Sequence, residues 1–174
     1  MEENQTSTTK VSIKYGIISG LAGIAFFVLV DMLGFSGNQS INYLGYLILA
    51  AIIYLAHKAY KEEGDGYMNY GQGLGIGVLV SLVSSILSSA FFYFYVTFIN
   101  TDYMTMIMDM QRAKMEESGM ADAQIDQAME MTEKFMTPGM MLIFAIVGTV
   151  FFGLILSLIV SAITQRKRPE QLVS

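Results

Sequence analysis

The chain has 174 residues and a mass of 19.3 kDa, with 53% hydrophobic residues, 14% charged ones and a mean hydropathy of +0.49. Soluble domains carry about 25% charged residues, so this composition excludes a disordered chain and departs from an ordinary soluble domain. Fifteen acids against ten bases give a net charge of −5 with no cysteine, which excludes disulfides, thiolate chemistry and cysteine-built zinc sites and argues against nucleic acid as a partner.

Four apolar runs approach or exceed the roughly 18 to 20 residues that cross a hydrocarbon core about 30 Å thick. In chain order they are Tyr15 to Leu33, Ile41 to Tyr60, Leu74 to Ile99 and residues 138–163, the last strictly apolar from Met140. The first is too long for a signal peptide, and no A-x-A-like site follows it. The second loses its apolar character after Ala56, where His57 and Lys58 reach into the headgroup layer. The third must tilt or protrude. The expected fold is therefore all-α, a polytopic bundle of four transmembrane helices in a single membrane domain over residues 1–174.

Basic residues beside the spans set the orientation. Lys10 and Lys14, then Lys58 and Lys61, then Arg166, Lys167 and Arg168 lie on one side, whereas the turn from Gly34 to Ser40 holds no base. Both tails, 1–14 and 164–174, are thus expected in the cytoplasm, with segment 100–137 outside. Its Arg112, Lys114 and Lys134 are a minor counter-signal, because long segments obey the rule weakly.

In lipid, helices associate by close packing, so small residues at every fourth position mark the faces that touch. The third span carries Gly73, Gly77, Ser81, Ser85 and Ser89 in that register, and the fourth carries Thr149, Gly153, Ser157 and Ser161. The simplest arrangement sets these stripes against each other. Gly16, Gly20 and Gly23 form a shorter version in the first span. A solute path lined by the serines is the functional alternative, and no charged residue accompanies them. The glycine cluster Gly71 to Gly77 fits no phosphate-binding template, since Ile76 stands where the third glycine of G-x-G-x-x-G belongs and no lysine follows.

Asp31 is the candidate intramembrane polar site, placed near the outer end of the first span. His57 falls near the inner end of the second, too far away for a proton-sharing pair and expected at the interface. Gly34-Phe35-Ser36-Gly37 matches the G-x-S-G pattern of rhomboid-type proteases, but the topology separates Ser36 from His57 and the spans are too few. Asn38-Gln39-Ser40 fits an N-glycosylation pattern, relevant only in a eukaryotic secretory pathway.

Segment 100–137 holds eight acids, three bases and nine of the fourteen methionines, so its own charge, three minus eight, equals that of the whole chain. Asn100 can cap a helix running to about Glu117, with Tyr103, Met106, Ile107, Met110 and Ala113 at helical spacing. After Gly119 a second amphipathic helix follows, with Ile125, Ala128, Met129, Thr132, Phe135 and Met136 on one face. Thr137 and Pro138 then start the fourth span. The result is an external helical hairpin between the third and fourth spans. Met104, Met106, Met108 and Met110 offer soft ligands for Cu(I), but on a helix they split into two opposed pairs.

The run His57-Lys58-Ala59-Tyr60-Lys61, the stretch Tyr67-Met68-Asn69-Tyr70-Gly71-Gln72-Gly73, the serine-rich third span and Ile99-Asn100-Thr101-Asp102-Tyr103 resemble the bacterial membrane family catalogued as domain of unknown function 4199. Relatives are expected to carry a proline soon after the asparagine matching Asn100, where this chain has Thr101. The resemblance implies a four-helix fold in the bacterial cytoplasmic membrane and brings no activity, so no catalytic residue and no cofactor is expected. The leading expectation is a non-enzymatic structural or interaction protein. Its partners are the lipid bilayer and either a second copy or a membrane or periplasmic protein. A small transporter or channel subunit using the serine stripe and Asp31, and an external methionine-based Cu(I) binder, are the alternatives.

Overall fold

The computed structural model describes residues 7–167, without the side chains of Gln39 and Asn42. The tail residues 1–6 and 168–174, including Arg168, lie outside the described residues. Six α-helices follow in order among the described residues: α1 (Thr8–Met32), α2 (Gln39–Glu63), α3 (Tyr70–Phe94), α4 (Tyr103–Glu117), α5 (Asp122–Phe135) and α6 (Pro138–Thr164). A π-turn over Tyr95–Ile99 extends α3. Among the described residues there is no strand, only an isolated antiparallel bridge between Met68 and Arg166.

Four helices among the described residues are long and apolar enough to cross a membrane: Thr8–Met32, Tyr43–Glu63, Tyr70–Ile99 and Pro138–Thr164. Their outward faces expose Leu21, Leu47, Val147, Phe151 and Ile159, as helices solvated by hydrocarbon do.

The helices begin before the apolar runs do. Hydropathy marks where a helix enters hydrocarbon, while polar caps mark where its first free N–H groups are satisfied. Ser7 accepts from the Lys10 N–H at 3.4 Å, so α1 starts at Thr8, seven residues ahead of Tyr15. Asn69 and Gln72 form a reciprocal capping box, each contact 2.8 Å, so α3 starts at Tyr70. Thr137 and Pro138 open α6 at the N-cap and first helical positions. Gly34 at φ +74° and Gly119 at φ +76° end α1 and α4 in the left-handed conformation that glycine adopts without strain.

Helix α3 is central, with α1 on one side and α6 on the other. Against α6, Gly73 faces Ser161, Gly77 faces Ser157, and Gly153 faces Ser81. Against α1, Gly16 receives Val83, Gly20 receives Leu87, and Gly23 faces the Ser88 hydroxyl. At Gly77 and Gly153 an added Cβ would overlap the opposing serine side chain, so the glycines set the helix separation. Ser81 and Ser157 donate to the carbonyls of Gly77 and Gly153, at 2.8 and 2.6 Å. Each hydroxyl is thereby satisfied within its own helix and the facing glycine is filled by its side chain. The apolar core adjoining this seam holds Ile53, Ala56, Ile76 and Val80, all fully buried.

All four buried residues of α6, Gly153, Ser157, Ser161 and Thr164, lie in its C-terminal half. The seam therefore closes one half of the bundle, the half containing His57, and leaves the half nearer Asp31 more open. Gly77→Val should destabilise the protein by about 1–3 kcal/mol through overpacking, read as a lower thermal midpoint in detergent. Gly75→Val, where an added Cβ meets nothing within 4 Å, should leave that midpoint near the wild-type value.

Candidate functional site

Three features at different depths carry the polar chemistry. At one end, Asp31 in the last turn of α1 gathers three donors. The Ser36 hydroxyl donates to Oδ1 at 2.8 Å, the Tyr95 hydroxyl to Oδ2 at 2.5 Å, and the Asn100 amide to Oδ2 at 3.4 Å. The π-turn makes the last two coincide. The Asn100 N–H bonds to the Tyr95 carbonyl at 2.9 Å, and this i→i+5 closure stacks residue 100 over residue 95. Asn100 therefore does not cap α4; Asp102 occupies that position without a side-chain cap bond, and the Asn100 side chain is turned to Asp31.

Around this carboxyl group, Phe27, Phe92, Tyr95 and Tyr103 pack edge to face, with Phe27 5.2 Å from Tyr95 and 5.8 Å from Tyr103 between ring centroids. Burial pushes the Tyr103 hydroxyl above its ordinary pKa, and the nearby Asp31 adds to this, while the Ser36 side chain works in the opposite direction. Tyr103 is the first residue of α4, so the cluster fastens the hairpin to the bundle. Further along, Met110 fills the space over Gly37, and the Lys114 ammonium donates to the Gly37 carbonyl at 3.1 Å. Arg112 pairs with Asp126 of α5 at 3.0 Å and with Glu116 at 3.3 Å.

The four alternating methionines are placed apart by α4: Met104 packs against the aromatic cluster, Met110 against Gly37, and Met106 is exposed. No group of three or more His, Cys, Asp or Glu side chains that could hold a metal ion occurs among the described residues. On the hairpin faces, Tyr103 and Ile125 are buried while Met106, Ala113 and Phe135 are exposed.

At the opposite end, His57 is fully buried rather than interfacial. Its Nε2–H donates to the Gly73 carbonyl and its Nδ1 meets the Thr164 hydroxyl, both at 2.8 Å. Lys61 donates to the Thr164 carbonyl at 2.9 Å, and the Met68–Arg166 bridge closes beside it. The imidazole thus ties α2, α3 and α6 together, and both ring nitrogens are occupied by protein groups.

Between the two ends lies a cavity of about 340 Å³ among α1, α2, α3 and α6. Ser84, Ser85, Ser88 and Ser89 line it from α3, Ser19 from α1 and Thr149 from α6, and Phe26, Phe27, Tyr46 and Phe92 supply aromatic walls. The two small-residue stripes are therefore divided. Gly73, Gly77 and Ser81 meet Ser161, Ser157 and Gly153 in direct contact, whereas Ser85, Ser89 and Thr149 border open space. Asp31 does not line the cavity. Phe27 and Phe92, which do, stack on the tyrosines that surround it.

Four apolar crossing helices, a polar knot at each end and a hydroxyl-lined chamber between them define a polytopic membrane protein of α-helical type. The family described as protein of unknown function (DUF4199) matches residues 14–166, and the chain belongs to it. No curated protein and no solved structure matches the chain.

Asp31→Ala removes the acceptor of the part-buried Tyr95 hydroxyl, a hydrogen bond to a carboxyl group worth about 1–3 kcal/mol. Amide exchange over the first turns of α4 should accelerate by about tenfold or more, while the α3–α6 seam keeps its protection.

Proposed function

We propose that the protein is a non-enzymatic interaction component of the bacterial cytoplasmic membrane, with both termini in the cytoplasm and the α4–α5 hairpin on the outer face. The observation that carries this reading is the fastening of α4. Tyr103, Met110 and Lys114 fix it against Phe27, Tyr95 and Gly37 of the bundle, so the hairpin is a module with a set orientation and not a slack loop. Its charge of −5 sits on this module. Beyond α4, α5 presents Met131 and Phe135, 58% and 51% exposed, among Asp126, Glu130 and Glu133. Methionine surfaces adapt to partners of differing shape, and exposed apolar groups rimmed by charge are a common form of contact surface. The partner is a second copy of this chain or another protein with a basic rim.

Orientation is supported by Lys10, Lys14, Lys58, Lys61, Arg166 and Lys167, all at the His57 end of the bundle. Transport through a path joining the serines to Asp31 is less well supported, because that carboxyl group does not line the cavity and is held by Ser36, Tyr95 and Asn100. A Cu(I) site on α4 is likewise less well supported, since Met104 and Met110 face different neighbours.

The chain has no cysteine, so Met131→Cys gives a single attachment point. A membrane-impermeant thiol-reactive photocrosslinker applied to intact cells should label it from outside and yield a discrete crosslinked species. Absence of labelling would overturn the orientation, and labelling with only monomer recovered would overturn the interaction role.

A further inference from the structure

We infer that the cavity between α1, α2, α3 and α6 is a binding site for an uncharged, lipid-soluble carbonyl compound of the quinone class. Its volume of about 340 Å³ falls within the range of small-molecule pockets, roughly 300–1,000 Å³. The chamber is separate from the hairpin surface and from the Asp31 knot, so it belongs to neither.

The hydroxyl groups determine what the ligand must offer. A serine inside a membrane helix normally returns its proton to a carbonyl one turn back, because hydrocarbon provides no other acceptor. Ser85 does so, donating to the Leu82 carbonyl at 2.9 Å. Ser88 donates to the Gly20 carbonyl at 3.2 Å and Ser84 to the Ser19 hydroxyl at 3.0 Å. Ser89 is different. It is only 4% exposed, it lines the cavity, and its hydroxyl has no partner among the described residues. Thr149 faces the same space from α6 without a partner of its own. An acceptor oxygen on a ligand gives these two hydroxyls, which border the cavity, a hydrogen bond worth about 0.5–1.5 kcal/mol each. The site thus calls for acceptors.

The walls determine the rest. No Asp, Glu, Lys, Arg or His lines the cavity, so a charged ligand would enter without a counter-charge and lose its hydration. Phe26, Phe27, Tyr46 and Phe92 offer ring faces and edges on which a planar conjugated ring packs better than a saturated chain. Carbonyl oxygens on a flat, neutral ring meet both demands. Entry is from the bilayer: the lining residue Ala145 is exposed on α6, in the half of that helix that has no buried residue.

The test uses the full chain in nanodiscs of saturated phosphatidylcholine, with menadione as the probe and protein-free nanodiscs as the partition control. Saturable binding of one menadione per chain is expected, undiminished by added hexadecane. Ser89→Ala should weaken it about five- to tenfold with an unchanged thermal midpoint, and Thr149→Val serves in its place should the first variant fail to fold. Partitioning equal to the control would overturn the assignment. So would saturable binding that neither variant alters, and so would displacement by hexadecane, which marks a chamber for acyl chains.

Discussion

Helix α3 can lie against two neighbours at once only because a glycine stands at one of the two facing positions in each close contact. Water drives apolar faces together in soluble proteins, but a lipid tail is as good a solvent for leucine as another helix is. Association therefore depends on close approach. Gly77 under Ser157 and Gly153 under Ser81 permit that approach on one side of α3, and Gly16 under Val83 permits it on the other. The serine protons are closed onto carbonyls of their own helices, so the seam carries no unsatisfied hydroxyl except that of Ser161.

Everything else follows from where that seam stops. Over the half of the bundle holding His57, the α3–α6 contact is continuous, and the imidazole locks it by joining Gly73 to Thr164. In the other half the small residues continue in sequence, and Ser85, Ser89 and Thr149 border a chamber of about 340 Å³. Phe27 and Phe92 line the chamber and pack against Tyr95 and Tyr103, and Asp31, outside the chamber, gathers Ser36, Tyr95 and Asn100. The two knots do different work: His57 holds transmembrane helices to one another, while Asp31 holds the hairpin to the helices.

The spans were legible because hydropathy over twenty residues is a strong signal, and their true starts at Thr8 and Tyr70 could have been read from Ser7 and from the pair Asn69 and Gln72. The hairpin was legible from Gly119 and from Thr137-Pro138. The knots were not. Asp31 meets residues 5, 64 and 69 positions away, and no spacing rule joins them. The π-turn that aligns Tyr95 with Asn100 has no sequence mark, and Asn100 reads locally as a helix cap. His57 sits where apolar character gives way to lysines, which suggests the interface. Its ring is buried and bonded to Thr164, over 100 residues along the chain. The stripes showed their register but not their division, since Ser81 in the seam and Ser85 beside the chamber are the same residue type one turn apart.

The central claim is that glycine and serine at facing positions fix the α3–α6 separation, and a side-chain exchange across the seam tests it most directly. Gly153→Ser and Ser81→Gly, singly and together, form a double-mutant cycle measured by reversible unfolding in mixed micelles. Gly153→Ser alone should destabilise the protein, and adding Ser81→Gly should restore much of the loss, giving a favourable coupling of about 0.5–3 kcal/mol. Strictly additive effects would contradict direct contact between these positions, and with it the seam on which the fold depends.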